Sequence, residues 1–201
     1  MQQTINVYTF DQLNDGIKQK VIDKNRDVLL CDNWHEYTTD YYITVAKSLG
    51  FSDVSFEFRL AYSQGDGAAI IADFDSKSVD KNEALKHISE NDYNLLTFFN
   101  VSASVKNDSS MYCHNMTSSV ELSDNFTDIV DELTFRGPES EYVIEIFQRI
   151  DEIVIKLARS ICNDLMISLD NELSHLTDDD TIAEYLTEDD HTLYTIQGVQ
   201  V

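Results

Sequence analysis

A single proline, Pro138, and six glycines serve all 201 residues. So little of either excludes a collagen-like repeat and a long proline-rich or glycine-rich linker. Cysteine is scarce too. Cys31, Cys113 and Cys162 lie far apart, with no C-x-x-C pair. Such a sparse, odd set excludes a disulfide framework and suits a reducing compartment. Cys113 and His114 adjoin, which is poor spacing for two ligands of one metal. Neither a metal nor a cofactor is expected. No apolar run reaches the length of about 18 residues that a membrane-spanning helix needs. The start M-Q-Q-T-I-N-V-Y lacks a basic stretch followed by an apolar one, so no signal peptide is expected.

Positive charge is the most telling shortage. There are 14 Lys and Arg against 37 Asp and Glu, a net charge of −23. Residues 121–190 hold 20 acids and 4 bases, whereas residues 1–120 hold 17 and 10. Such a field repels DNA, RNA and anionic membranes and attracts basic surfaces. Neither direct nucleic-acid binding nor membrane association is expected. The excess has two readings. It keeps the protein dispersed, or it presents carboxylates to a basic nucleic-acid groove on another protein. The residues for such a face are Glu145, Glu152, Asp164, Asp170, Glu172, Asp178, Asp179 and Asp180.

Apolar residues make up 42% of the chain, enough for a sizeable core without staples. The expectation is a single domain, residues 1–201, of the α+β class. Helices and an antiparallel sheet of about four strands occupy residues 1–122, and an acidic helical part occupies 123–201. Two helix-start signals overlap near the N-terminus: Thr9 with Gln12, and Asn14. They predict a helix to about Leu30 with Ile17, Val21 and Val28 on one side. A second helix carries Trp34, Tyr37, Tyr41, Val45 and Leu49 at helical spacing, a stripe expected in the core, and Gly50 as its stop.

Residues 51–62 then alternate and residues 68–74 return, predicting a hairpin. A helix is expected around residues 79–90. N-L-L-T-F-F-N-V-S-A-S-V and M-Y-C-H-N-M-T-S-S-V-E-L predict a second hairpin about Asn107-Asp108. From Glu139 the period becomes helical. Val143, Phe147, Ile150, Val154, Leu157, Ile161, Leu165, Leu169, Leu173 and Leu176 line one long helix or a helical hairpin. That stripe is also a surface through which two copies could pair. Thr177 is expected to cap a short acidic helix, and T-L-Y-T-I to form a terminal strand.

The turn A-Y-S-Q-G-D-G-A-A-I is the most distinctive stretch. No lysine-threonine pair follows its glycines, and it leads into a strand, so it is no phosphate loop. A lone Asp66 without the later glutamate is no calcium loop. Ser63, Gln64, Asp66, Tyr112 and His114 form the one polar set that could assemble, if the turn and the Y-C-H segment lie side by side. A His beside a carboxylate and a Ser could do acid–base or nucleophilic work. The plainer expectation is structural. Asp66 then bonds turn amides, Gln64 and His114 satisfy backbone groups, and Gly65 and Gly67 shape the bend.

V-Y-T-F-D-Q-L, then A-K-S-L-G-F, S-Q-G-D-G-A and M-Y-C-H occur in that order. The order resembles a widespread family of small, mostly uncharacterised bacteriophage proteins, some of them labelled antitoxins of toxin–antitoxin systems. R-S-I-C-N-D-L-M-I-S-L-D-N-E-L-S-H-L-T-D-D-D-T-I-A-E is similar to that family's closing helices. The likeness spans most of the chain apart from residues 76–95. It departs at Ala69-Ile70, where an aromatic is expected, and in the final Q-G-V-Q-V. The resemblance implies a setting, a phage protein working in the cytoplasm of its bacterial host, and no reaction. With the charge, it leads to the expectation of a counter-defence protein that binds a host immune effector such as a CRISPR–Cas complex. The alternatives are a small enzyme or nucleotide-binding protein acting on an immune signalling nucleotide, and an antitoxin-like binding partner.

Overall fold

Both N-terminal helix-start signals are used, one after the other. The computed structural model describes residues 6–61, 66–109, 112–123, 140–189 and 191–201. In it the side chain of Gln12 accepts from the Thr9 N–H at 3.1 Å, closing a 3-10 turn over Phe10–Gln12. Asn14 then accepts from the Ile17 N–H at 3.1 Å and opens helix α1, Asp15–Lys24. The helix stops well before Leu30. Asn25 donates its side-chain amide to the Val21 carbonyl at 2.7 Å, a local bond that competes with continued helix. Val28, expected on the buried side, is therefore exposed.

Two compact units divide the chain: Met1–Glu36 with Leu169–Val201, and Tyr37–Ser168. In the first, Phe10, Leu13, Val21 and Ile22 share a core with Ile182, Leu186 and Tyr194. The acidic helix expected after Thr177 is present, as Asp179–Glu188, but Asp178 caps it by accepting from the Asp180 N–H at 3.0 Å. Thr177 instead donates back to the Leu173 carbonyl at 2.8 Å. The expected terminal strand is reduced to single bridges, Tyr8 to Tyr194 and Tyr194 to Gln200.

The second unit carries an antiparallel sheet of β1 (Leu49–Arg59), β2 (Gly67–Val79), β3 (Ser102–Asn107) and β4 (Ser118–Leu122), in the order β1-β2-β3-β4. The fold is α+β with four antiparallel strands, as the pattern predicts. Helix α2, Glu36–Ser48, precedes β1. Its aromatic stripe is not core: Tyr37 is 84% exposed and Tyr41 58%. The buried residue of the helix is Ala46; Leu49, the last residue of the expected stripe, is buried as well but belongs to β1, and the Tyr42 hydroxyl lies 2.9 Å from Ser168 Oγ. Tyr42, which is not in the stripe, is half-buried with its hydroxyl bonded, as a tyrosine goes inward where its hydroxyl finds a partner. Gly50 ends the helix with φ +88°, and a Cβ there would lie 2.6 Å from Val79 Cγ2 and 2.7 Å from the Asp75 carbonyl.

Between β2 and β3 lie the short α3, Lys81–Ala84, and α4, Glu90–Phe99. N-L-L-T-F-F, expected as strand, is thus the end of a helix. Ser89 caps it at the Asp92 N–H, and Asn100, at φ +49°, ends it in the left-handed region. The Y-C-H segment is not strand either. Tyr112 to His114 lead into a 3-10 turn, Asn115–Thr117, before β4 begins.

One continuous helix, α5 (Ser140–Leu176), answers whether residues 139–176 form one helix or two. Of the expected stripe, Ile150, Val154, Leu157, Ile161, Leu165 and Leu169 are buried, while Val143, Phe147, Leu173 and Leu176 towards the ends are half-buried; Ile153, outside the stripe, is buried too. Within the second unit three contacts position it. Arg149 reaches Asp92 of α4, Cys162 meets the Ile70 backbone of β2, and Ser168 meets Tyr42 of α2.

Candidate functional site

The turn and the Y-C-H segment do meet. Register pairs Arg59 with Gly67, and Gly67 lies so close to the later segment that a Cβ would be 2.7 Å from the Cys113 carbonyl and 3.0 Å from His114 Cα. Asp66 turns back to accept from the Ala61 N–H at 2.8 Å, a turn-closing bond. The Nδ1 atom of His114 accepts from the Met116 N–H at 3.0 Å, so a neutral ring carries its proton on Nε2. Tyr112 is exposed, and its backbone is bound at both groups. Its N–H donates to Ser109 Oγ at 3.0 Å, and its carbonyl accepts from Asn107 at 3.3 Å. Ser63, Gln64 and Gly65 lie outside the described residues. The side chains of Asp66 and His114 thus each have a local structural task, whereas the bonds of Tyr112 are made by its backbone.

Asn107, a hairpin corner by sequence, organises this region. Its amide nitrogen also donates to Glu57 at 2.7 Å, while its oxygen accepts from Thr117 Oγ1 at 2.6 Å and the Ser109 N–H at 3.2 Å. It clips the loop after β3 onto the outer face of β1.

The eight acidic residues do not form one face. On α5, Glu145 and Glu152 are seven residues apart and share a side, whereas Asp164 is rotated by roughly 120° from Glu152 at 3.6 residues per turn. Asp170 and Glu172, two residues apart, point to nearly opposite sides by the same geometry. Several already hold partners. Glu152 accepts from Arg149 at 3.1 Å, Asp178 caps α6 (Asp179–Glu188), and Asp179 binds Arg26 at 2.7 Å and Gln19 at 2.9 Å. Gln19 and then Arg26 hold the Asp179 carboxyl below the usual range.

A different carboxylate stands out. Beside β4 and α5 lies a cavity of about 440 Å³ lined by Ser119, Val120, Gln148, Asp151, Glu152 and Ile155. One oxygen of Asp151, Oδ1, is out of reach of water and has no hydrogen-bond partner. Burial pushes the Asp151 carboxyl above its ordinary value. Nearby, Arg149 donates to Asp92 through Nε at 3.2 Å and Nη2 at 2.8 Å. Burial opposes the charge on Asp92, but the bonds from Arg149 and Ser89 outweigh it and hold that carboxyl below the usual range. The two carboxylates are thus tuned oppositely, one matched and one unmatched.

A signal for Asp151 exists in hindsight. Phe147 and Ile155, four residues to either side, are apolar, so its helix face is flanked by core-like residues. Among the described residues no group of three His, Cys, Asp or Glu could hold a metal, and no helix is long and apolar enough to cross a membrane.

A family model described as a domain of unknown function (DUF8835) matches residues 34–179, and its description says nothing of phage or antitoxin. No curated protein and no solved structure matches the chain.

Proposed function

The chain belongs to the DUF8835 family, whose description assigns no activity, and we propose a function from the chain's own charge and surface. It is a phage-encoded counter-defence protein that works in the host bacterial cytoplasm. It binds a host immune effector, such as a CRISPR–Cas complex, and blocks a basic nucleic-acid-binding surface there. The observation that carries this reading is stoichiometric. With 37 acidic and 14 basic residues, 23 carboxylates are left over even if every Lys and Arg were paired. The phage setting rests on the order of the Y-T-F-D-Q-L, S-Q-G-D-G-A and Y-C-H motifs.

Charge density refines the mechanism. The 37-residue α5 carries seven acidic residues. Over a length of roughly 55 Å that is about one per 8 Å, against one phosphate per about 1.7 Å of duplex. The helix does not copy a phosphate ladder. Its contribution is a broad negative field that competes for a basic groove. An enzyme built on Asp66 and His114 has less support, because the contacts described for both are structural. An antitoxin-like partner would share the binding chemistry and differ in the protein it captures.

The test is capture of partners from host extract, followed by affinity measurement against salt and against competing DNA or RNA. Binding should weaken steeply with salt, and nucleic acid should compete. Salt-insensitive binding without competition would refute the reading and favour an apolar seam.

A further inference from the structure

Residues 7–9 and 193–201 meet in a small sheet whose outer face is apolar and uncharged. We propose that this face binds a second copy of the chain, forming a weak two-fold dimer. Tyr8 and Tyr194 exchange backbone bonds at 2.9 and 2.8 Å. Thr195 donates to the Val199 carbonyl at 2.8 Å, and Val201 donates to the Leu193 carbonyl at 2.9 Å. Tyr194, 2% exposed, lies in the core with Phe10 and Ile182, and Tyr8 packs against it. Side chains alternate along a strand, and opposed residues share a face. The outer face therefore carries two rows, Val7–Thr195–Val199 and Thr9–Leu193–Val201. Exposure agrees: Val7 is 41% exposed, Val199 52% and Val201 68%.

Charge selects a second copy as the occupant. Residues 6–10 and 192–201 hold no Asp, Glu, Lys or Arg, in a chain where charged residues make up 25% and the net charge is −23. A basic partner gains nothing from an uncharged face. Two copies repel each other through their net charge, and this face lets them approach without burying a carboxylate. The face also tolerates being covered. Thr195 Oγ1 accepts from the Gln197 and Val199 N–H groups at 3.3 and 3.2 Å, so that oxygen stays satisfied once water is excluded. Flat rows rich in valine pack on their own kind, as aligned sheets do, and a two-fold axis lets each row serve both copies. The stripe of α5, by contrast, is buried within its own chain at Ile150, Val154, Leu157, Ile161, Leu165 and Leu169. Two rows of three residues fall well short of the roughly 20–30 residues a side of a standard interface, so the dimer is weak.

Sedimentation equilibrium of the full chain at low and high salt tests the contact. Going from about 0.1 M to about 1 M NaCl shortens the Debye length from about 10 Å to about 3 Å and screens the repulsion between copies. The expected result is a monomer–dimer equilibrium with a dissociation constant on the order of 0.1 mM at high salt, at least about fivefold weaker at low salt. Salt acts in the opposite direction on the basic partner, whose binding it weakens. Val199→Thr with Val201→Thr keeps the net charge and the strand preference. It should weaken the dimer at least about fivefold at high salt and leave the thermal melt unchanged. Ile167→Thr, at an apolar position of α5 that is 61% exposed, should leave dimerisation unaffected and so controls for general salting-out. A chain that stays monomeric up to about 1 mM at high salt would overturn the assignment. So would a dimer untouched by the double substitution, or one weakened equally by Ile167→Thr. A monomer that loses capture of a host protein on the double substitution would overturn it too, giving the face to that protein.

Discussion

Removing Arg149 should strand a buried carboxylate, and the cost can be worked from the geometry. Asp92 is 7% exposed and receives two hydrogen bonds from one guanidinium. Arg149→Met keeps most of the stem and deletes both donors. Breaking a fully buried ion pair costs about 3–5 kcal/mol, and a hydrogen bond to a charged group is worth about 1.5–3 kcal/mol. The Arg149 side chain is 52% exposed, so water follows it out and screening lowers the figure. A loss of about 2 kcal/mol results. For a chain of this length that is a fall of about 4–8 °C in melting temperature.

Urea unfolding by circular dichroism, with hydrogen exchange along α4, reads the effect. The pH dependence gives a second check. Because the folded protein holds the Asp92 carboxyl low, the stabilisation is complete above the ordinary value of about 3.9 and is lost as pH falls through the lowered one. The gap between wild type and variant should therefore close in acid. Adding Asp92→Leu to Arg149→Met should recover much of the loss, since no stranded charge remains. Unchanged unfolding of Arg149→Met, or a deficit that neither acid nor Asp92→Leu reduces, would refute the reasoning.

Gly67→Val should cost more than about 1 kcal/mol, because its Cβ would meet the Cys113 carbonyl, which belongs to backbone and cannot swing aside; a wild-type thermal melt would contradict the close approach. Asp151→Asn should stabilise the fold at neutral pH by about 0.5 kcal/mol, a small gain because the side chain is half open to water. Burial raises the folded Asp151 value, so its penalty appears as pH rises through that value and vanishes below about 3.9, where the two proteins should melt alike. Glu145→Lys with Asp164→Lys should weaken partner binding at low salt more than Asp27→Lys with Asp32→Lys, although all four are exposed. Equal effects in a titration would mean that only net charge matters.

The parts that sequence predicts well are those where one period dominates. Alternation through Val54, Phe56 and Phe58 marks β1, and apolar residues every three or four positions mark α5 from Ile150 to Leu169. Where two patterns compete, sequence misleads. Helix α2 has a large aromatic side at Tyr37 and Tyr41 and a buried position at the small Ala46, and size points to the wrong one. The run N-L-L-T-F-F is apolar without a clear period, so the Ser89 cap and the left-handed Asn100 decide it for helix. The turn role of Asp66 was readable because Asp-Gly turns act locally. The isolation of Asp151 was not, because it depends on which side of α5 meets β4, a tertiary fact. Charge counting had the same limit. It could not separate Asp179, spent on Arg26 and Gln19, from carboxylates left to act outward.

The division of the chain bears on the order of its folding during synthesis. Residues 37–168 carry the sheet and need nothing from outside that span to pair their strands. Phe10, Leu13, Val21 and Ile22 instead complete their core with Ile182, Leu186 and Tyr194, which are synthesised only after the whole of that span. At synthesis rates of about 5–20 residues per second, the first helix waits on the order of ten seconds for its partners. Its apolar side is open to chaperones or proteases throughout that interval. Prior folding of the intervening sheet shortens the effective loop and lowers the entropic cost of closing it. A stalled or truncated chain lacking residues 169–201 would therefore keep its sheet and expose Phe10 and Val21, a state that quality-control machinery can recognise.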